Sequence, residues 1–315
     1  MNQSKRYPVR IGLVGCGRLA EIAYLPAFRQ AAGVKLAAVA DVNQSRCEEI
    51  APAVPSHQTI HSLIEAGGID ALVIASPTRF HLSHARSAAE AGLPALVEKP
   101  PGLTLDEAQA LHRLKPSPWI GFNRRFDPGI LRLRRELPRE GTIHLELHSR
   151  RTSWKPFDAQ DDVLLDLAPH LIDLVRWLTS SEILSARTRS LNAHHVRFEL
   201  KLSWGYATIS CSNHSYYRER IVVQDSQGRV SGSYKRGGFV SGIAGIFQPK
   251  RENPLVRLMV CQLEAFGLTV RKMPDRTALA TSADGLEVMS AIEAVRRSAS
   301  EEKGFCQLVK LNSNG

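Results

Sequence analysis

At 315 residues, with 43% hydrophobic and 23% charged side chains, the chain is long enough for about two globular domains and too apolar for a disordered one. Its net charge of +10 comes from arginines spread along the sequence without aromatic interleaving, so no nucleic-acid motif is present and no nucleic-acid partner is expected. No apolar run approaches the ~20 residues that span a bilayer, and the five scattered cysteines, with no CxxC pair, exclude a disulfide framework or a zinc site.

The N-terminal MNQSKRYPVRIGLVG is charged and lacks a cleavable apolar region, because its apolar run leads straight into a glycine loop. A cytoplasmic protein is expected, with no membrane partner and no metal. The densest basic stretch, Arg132, Arg134, Arg135 and Arg139, reads first as a solvated helix face and second as a grip on an anionic substrate or partner.

In chain order, residues 9–15 (VRIGLVG) predict a strand, and 18–33 a helix bent at Pro26 and closed by Gly33. Residues 35–41 form a second strand and 62–68 a short helix. A third strand covers 71–77, followed by a helix over 81–92 and a strand over 94–99. Residues 104–114 begin with a capping threonine and are helical, and 118–123 form a last short strand. Continuous apolar strands between helices indicate a doubly wound parallel sheet covered on both faces, the α/β class. After Asn123 the texture changes: a helical segment at 162–178 precedes polar–apolar alternation at 195–204, 206–213 and 220–234, which predicts hairpin-linked antiparallel strands. Helical pattern returns over 253–270 and 282–299. The boundary falls near 121–126, giving a dinucleotide-binding domain over 1–122 and an α+β domain with a largely antiparallel sheet over 123–315.

The first strand runs into Gly15-Cys16-Gly17-Arg18-Leu19-Ala20, a GxGxxA. The first glycine permits a tight turn, the second lets a pyrophosphate approach the backbone, and the alanine allows close helix–strand packing. Free N–H groups at the start of the following helix suit phosphate oxygens. Asp41 ends the next strand, ~20 residues on, where a carboxylate accepts hydrogen bonds from a ribose diol. A carboxylate there disfavours a 2′-phosphate, so NAD(H) is the first choice, while Arg18 and Arg46 leave NADP(H) open.

Two further groups stand at strand C-termini, the edge at which doubly wound sheets bind ligands. Ser76-Pro77 ends one strand, with His81 a helical turn beyond. Glu98-Lys99-Pro100-Pro101 ends another, and Pro100 keeps Lys99 out of helical backbone at the strand tip. In LDLAPHLIDLVRWL (165–178), helical spacing places Asp166, His170 and Asp173 within about 60° of one another, beside a separate leucine stripe. Pro169 either kinks this helix or begins it. A core histidine with an N-capping aspartate would look the same.

The motifs VGCGRLAEIAYLPAF, IASPTRFHLSHARSAAEAG, VEKPPGLTLDEAQAL, GFNRRFDP, LLDLAPHLIDLVRWL and DGLEVMSAIEAVRRSA occur in that order. Together the chain resembles the glucose-fructose oxidoreductase / inositol dehydrogenase / MocA family over nearly its whole length. The resemblance implies a Rossmann domain followed by a domain whose sheet forms oligomer interfaces, hence a homo-oligomer, dimer or tetramer. It implies a nicotinamide lying in a cleft between the domains and faced by Lys99 and by the Asp166–His170 pair.

Hydride leaving a carbinol carbon requires the hydroxyl proton to leave as well, and a histidine titrating near neutrality suits that transfer. His170 is the expected general base in oxidation and acid in reduction. Asp166 orients it or binds an adjacent hydroxyl, and Lys99 stabilises negative charge on the reacting oxygen. Arg124 and Trp154 are weaker candidates for holding substrate. The resulting expectation is an NAD(P)-dependent oxidoreductase acting on a hydroxyl or keto carbon of a polyol, sugar or sugar derivative. Its alternatives are a reductase of an imine or nucleotide-linked keto-sugar, and a non-catalytic dinucleotide-binding regulator. The chain departs from the family's glycine-rich pattern at Asp161, Asp162 and Ala168, which bears on substrate more than on the redox step.

Overall fold

The computed structural model describes residues 7–150, 162–237, 253–273, 279–301 and 304–309. Trp154 and Asp161 lie outside the described residues. The chain divides into two compact units, each built on its own seven-stranded sheet. The first takes the described residues within Met1–Phe126 and Arg251–Gly285, the second those within Asp127–Lys250 and Leu286–Gly315.

The first sheet holds β1 (Val9–Val14), β2 (Val34–Ala40), β3 (Ser56–His57), β4 (Ala71–Ile74), β5 (Ala95–Val97) and β6 (Trp119–Ile120) in the order β6-β5-β4-β1-β2-β3, all parallel. The order reverses between β1 and β4, a doubly wound switch point, and open α/β sheets bind ligands beyond the strand C-termini at such points. A two-residue edge strand, Ala280–Thr281, adds antiparallel beside β6. Helices Ile60–Ala66, His81–Glu90 and Leu105–His112 link the strands. Ile60–Ala66 opens with a Thr59/Ser62 capping box, and Thr104 caps Leu105–His112 through the Glu107 N–H.

Three features here differ from the sequence expectation. A helix at Gln44–Ile50, capped by Asn43, was not predicted; it buries only Cys47, so it carries little apolar periodicity. The helix after the glycine loop widens into a π-helical turn at Ala20–Tyr24 before the α-helical Leu25–Phe28. Pro26 has no N–H and its ring would meet the carbonyl four residues back; the wider turn, with Leu25 N–H donating to Ala20 O, absorbs the misfit. The helix Pro254–Val270, distant in sequence, packs Met259, Leu263 and Phe266 into the same core as β1 and β2. Sequence texture alone groups this helix with the second domain, because its packing partners lie more than 200 residues away in the chain.

The second sheet contains β7 (Gly141–His148), β8 (Ile183–Leu191), β9 (His195–Leu202), β10 (Gly205–Ser212), β11 (Arg218–Asp225) and β12 (Val230–Gly237), with a two-residue edge strand, Cys306–Gln307, beside β8. Every pair is antiparallel except β7–β10. One face, with Ile143, Leu145, Leu147, Phe198 and Ile209, is buried and packs against the helical segment over 163–179. The helix Pro128–Arg135 carries Arg132, Arg134 and Arg135 in its last turn, where cations complement the helix dipole. Arg134 stacks over Trp177 with its guanidinium carbon 4.3 Å from the ring centre. No helix among the described residues is long and apolar enough to cross a membrane.

Candidate active site

The glycine loop is built as its spacing implies. Gly15 has φ +101°, and a Cβ there would stand 2.6 Å from Ala75 O and 2.7 Å from Ser76 N, so only glycine fits against the turn that follows β4. Gly17 is the opposite case. Nothing lies within 4 Å of where its Cβ would stand, which leaves the backbone open to a phosphate group.

Asp41, just past β2, is drawn into the loop. Its Oδ2 accepts the Cys16 N–H at 2.8 Å and its Oδ1 accepts the Asn43 N–H at 2.9 Å. An ionised carboxylate has about four acceptor positions, so two backbone bonds fix its orientation and leave room for a diol. Cys16 and Cys47 bury their thiols side by side, Sγ to Sγ 3.1 Å. Burial, together with that neighbour, pushes the Cys16 thiol far up, so it stays protonated and serves as packing.

The loops after β4 and β5 are tied to one another. His81 is 1% exposed, and its Nδ1 and Nε2 each lie 2.8 Å from a carbonyl oxygen, of Pro100 and Ser76 respectively. Its ring nitrogens are therefore used within the protein, holding the Lys99–Pro100 turn against the Ser76–Pro77 turn. The Ser76 Oγ is 3.0 Å from His84 Nδ1, and burial lowers His84 to a pKa of about 4. Pro77 is exposed, and Lys99 is half-buried.

Glu98 is buried. Its Oε1 accepts the Tyr24 hydroxyl at 2.5 Å, and its Oε2 accepts the Lys99 N–H at 3.2 Å. Burial pushes its carboxyl pKa up, opposed by the Tyr24 hydrogen bond and the Lys99 charge. A side chain on Gly121 would press on this carboxylate at 3.0 Å. Glu98 thus fixes the backbone from which Lys99 projects. Neither Tyr24 nor Gly121 was singled out from sequence, because an internal tyrosine in an apolar helix gives no signal of a partner 74 positions away.

Gly15, Gly17, Asp41, Ser76, His81, Glu98 and Lys99 are thereby linked at one edge of one sheet. Arg18 and Leu19 follow on the loop's helical side, both half-buried. Arg124 is half-buried in the turn Asn123–Phe126, while its neighbour Arg125 is buried and pairs with Asp284 at 3.4 Å.

In the second unit, the segment expected as one helix over 162–178 is two: Val163–Asp166 and Ala168–Thr179, meeting at Leu167. Pro169 begins the second helix in its first turn, where its missing N–H costs nothing. Asp166 therefore closes one helix and His170 opens the next. Asp166 is half-buried, His170 8% exposed and Asp173 1% exposed. Asp162, standing where the family pattern has glycine, caps the first helix by accepting the Leu165 N–H at 2.8 Å, and Ala168 is buried. Among the described residues, no cluster of three or more His, Cys, Asp or Glu side chains is arranged to hold a metal.

Comparison with known proteins agrees with this architecture. The model of the oxidoreductase family with an NAD-binding Rossmann fold matches residues 9–117. Inositol 2-dehydrogenase of Rhizobium meliloti (strain 1021) is 30% identical over 253 residues, covering 72% of this chain and 76% of that protein. The chain belongs to the glucose-fructose oxidoreductase / inositol dehydrogenase / MocA family. Another family member, the rhizopine catabolism protein MocA of Rhizobium meliloti, is 32% identical over 184 residues, 55% of this chain and 58% of that protein. The chain spans a little over half the length of the first curated relatives it matches. The family's two-part fold is also that of scyllo-inositol dehydrogenase from Lactobacillus casei, solved with bound NAD(H) and scyllo-inositol. That match has TM-score 0.78 and 20% identity, and covers 95% of this chain and 99% of the other.

Proposed function

We propose that this protein is an NAD(H)-dependent dehydrogenase that oxidises a carbinol of a cyclic polyol or sugar, or reduces the corresponding ketone. The observation that carries the proposal is the construction of the glycine loop: a turn only Gly15 fits, open backbone at Gly17, and Asp41 oriented beside it by the Cys16 N–H. Membership of a family whose members include inositol dehydrogenases supports the substrate class. The two units serve as nucleotide-binding and substrate-binding domains, and the protein works as a homo-oligomer.

When bound, the nicotinamide supplies the hydride acceptor or donor. The chain's own residues handle the remaining proton and charge. His170 accepts the hydroxyl proton in oxidation and returns it in reduction. Lys99 stabilises negative charge on the reacting oxygen, held in place by the Glu98 carboxylate on its own N–H. Asp166 binds an adjacent hydroxyl or orients His170. Arg124 contributes to holding the substrate. Asp41 receives the ribose diol, which favours NAD(H) over NADP(H).

The test follows absorbance of the reduced nicotinamide with inositols, other polyols, sugars and sugar phosphates, for wild type and for His170→Ala and Lys99→Met. Turnover of a polyol by wild type, lost by at least a hundredfold in either variant, is the expected result. Tight NADH binding with no turnover on any of these compounds would point instead to a nucleotide-binding regulator.

A further inference from the structure

Where the glycine loop runs into its helix, two arginines converge on one carboxylate oxygen. Arg18, directly after Gly17, places Nη1 3.1 Å from Glu21 Oε2, and Arg46, from the helix after β2, places Nη2 2.7 Å from the same atom. The other Arg46 nitrogen, Nη1, pairs with Glu49 at 2.7 Å. The Arg46 side chain is only 16% exposed, so it is held among these partners rather than waving in solvent.

We propose that Glu21 is a specificity-determining residue for the dinucleotide: by holding Arg18 and Arg46 it withholds from a 2′-phosphate the cations it needs, and leaves the unphosphorylated ribose as the group that fits. This rests on the glycine loop being a dinucleotide site. Two conditions decide the choice at the end of β2, a carboxylate to accept a diol and the absence of an available cation. Asp41 meets the first, and Glu21 meets the second. Glu21 and Glu49 balance the two guanidiniums, so the cluster has no net positive charge to offer a phosphate monoester, which would bring nearly two negative charges. Burial pushes the Glu21 carboxyl upward, but the Arg18 and Arg46 guanidiniums overcome that and hold it below the usual range, so it is ionised at neutral pH.

Neither the GxGxxA pattern nor the strand-end acid reveals this arrangement. Both arginines, read from sequence, count in favour of NADP(H). In the structure their charge is already committed, and the count reverses.

The experiment is direct binding of NADH and NADPH, followed by nicotinamide fluorescence, to wild type, Glu21→Gln, Glu21→Ala and the doubles that add Arg18→Ala or Arg46→Ala to Glu21→Ala. Wild type is expected to prefer NADH. Both single variants are expected to bind NADPH about tenfold more tightly, as the guanidiniums released from Glu21 turn to the phosphate, with NADH affinity changed less than about twofold. Each double should lose part of the gain. The inference is overturned if NADPH affinity is unchanged in both single variants while NADH still binds, if the gain survives in full in both doubles, or if wild type already prefers NADPH. A wild type that binds neither nucleotide overturns the reading of the loop itself, and Glu21's role with it.

Discussion

The two glycines of the loop make opposite predictions from a single added methyl group. In Gly15→Ala, the new Cβ would stand 2.6 Å from Ala75 O and 2.7 Å from Ser76 N, at a backbone φ of +101°. The conformational strain costs about 1–2 kcal/mol and the forced displacement of a backbone carbonyl about 1–3 kcal/mol more, so a loss of roughly 3 kcal/mol is expected. Against a typical total of about 5–15 kcal/mol, that is a large share, visible as a clear fall in the urea midpoint. In Gly17→Ala, the φ is not in the left-handed region and nothing lies within 4 Å of the Cβ. Stability should change by no more than about 0.5 kcal/mol. On the proposed reading of the loop the methyl fills the space through which a pyrophosphate would reach the backbone, so NADH affinity should fall at least about tenfold. Urea unfolding and NADH titration on both variants test the pair. A Gly17→Ala protein that is stable and binds NADH like wild type would refute the reasoning, leaving the loop as no more than a turn.

Other consequences are equally specific. His84, pressed down by burial and by the charges of His81 and His61, has a folded pKa of about 4 against 6.5 when unfolded. As pH falls below 6.5 the unfolded chain takes up this proton first, so stability present at pH 7 is lost toward pH 4, by up to about 3 kcal/mol. Wild type should therefore lose about 2–3 kcal/mol more than His84→Gln between about pH 7 and 4.5 in urea unfolding, and equal losses would contradict the burial argument. Tyr24→Phe removes the hydroxyl that donates to buried Glu98, and should cost about 1–3 kcal/mol by thermal denaturation. Gly267→Ala should cost about 1–3 kcal/mol, because the helix Pro254–Val270 approaches β2 so closely that the added methyl would collide with the Val34 side chain. No measurable effect there would mean the helix does not sit on β2 as described.

Much of the nucleotide edge could be read from the residues, because strand, glycine turn and helix follow one another within a short stretch and each rests on local chemistry. Gly15, Asp41 and the strand-tip Lys99 stand where that reading put them. Non-local links could not be read. The bond from Tyr24 to Glu98 and the convergence of Arg18 and Arg46 on Glu21 depend on which helix faces which, information that periodicity does not carry. The strand β7 could have been found: GTIHLELH alternates buried Ile143, Leu145 and Leu147 with partly exposed neighbours. Asp166 and His170 were expected on one helical face, but Leu167 divides the segment, because Pro169 begins a helix more readily than it sits within one.

The most direct measurement follows the hydride itself. The protein is incubated with NAD+ and an inositol deuterated at its carbinol carbons, and the reduced nucleotide is examined by mass spectrometry. The account predicts one deuterium per NADH formed by wild type and no NADH above background from His170→Ala. NAD+ that binds yet gains no deuterium from any polyol or sugar offered would contradict it.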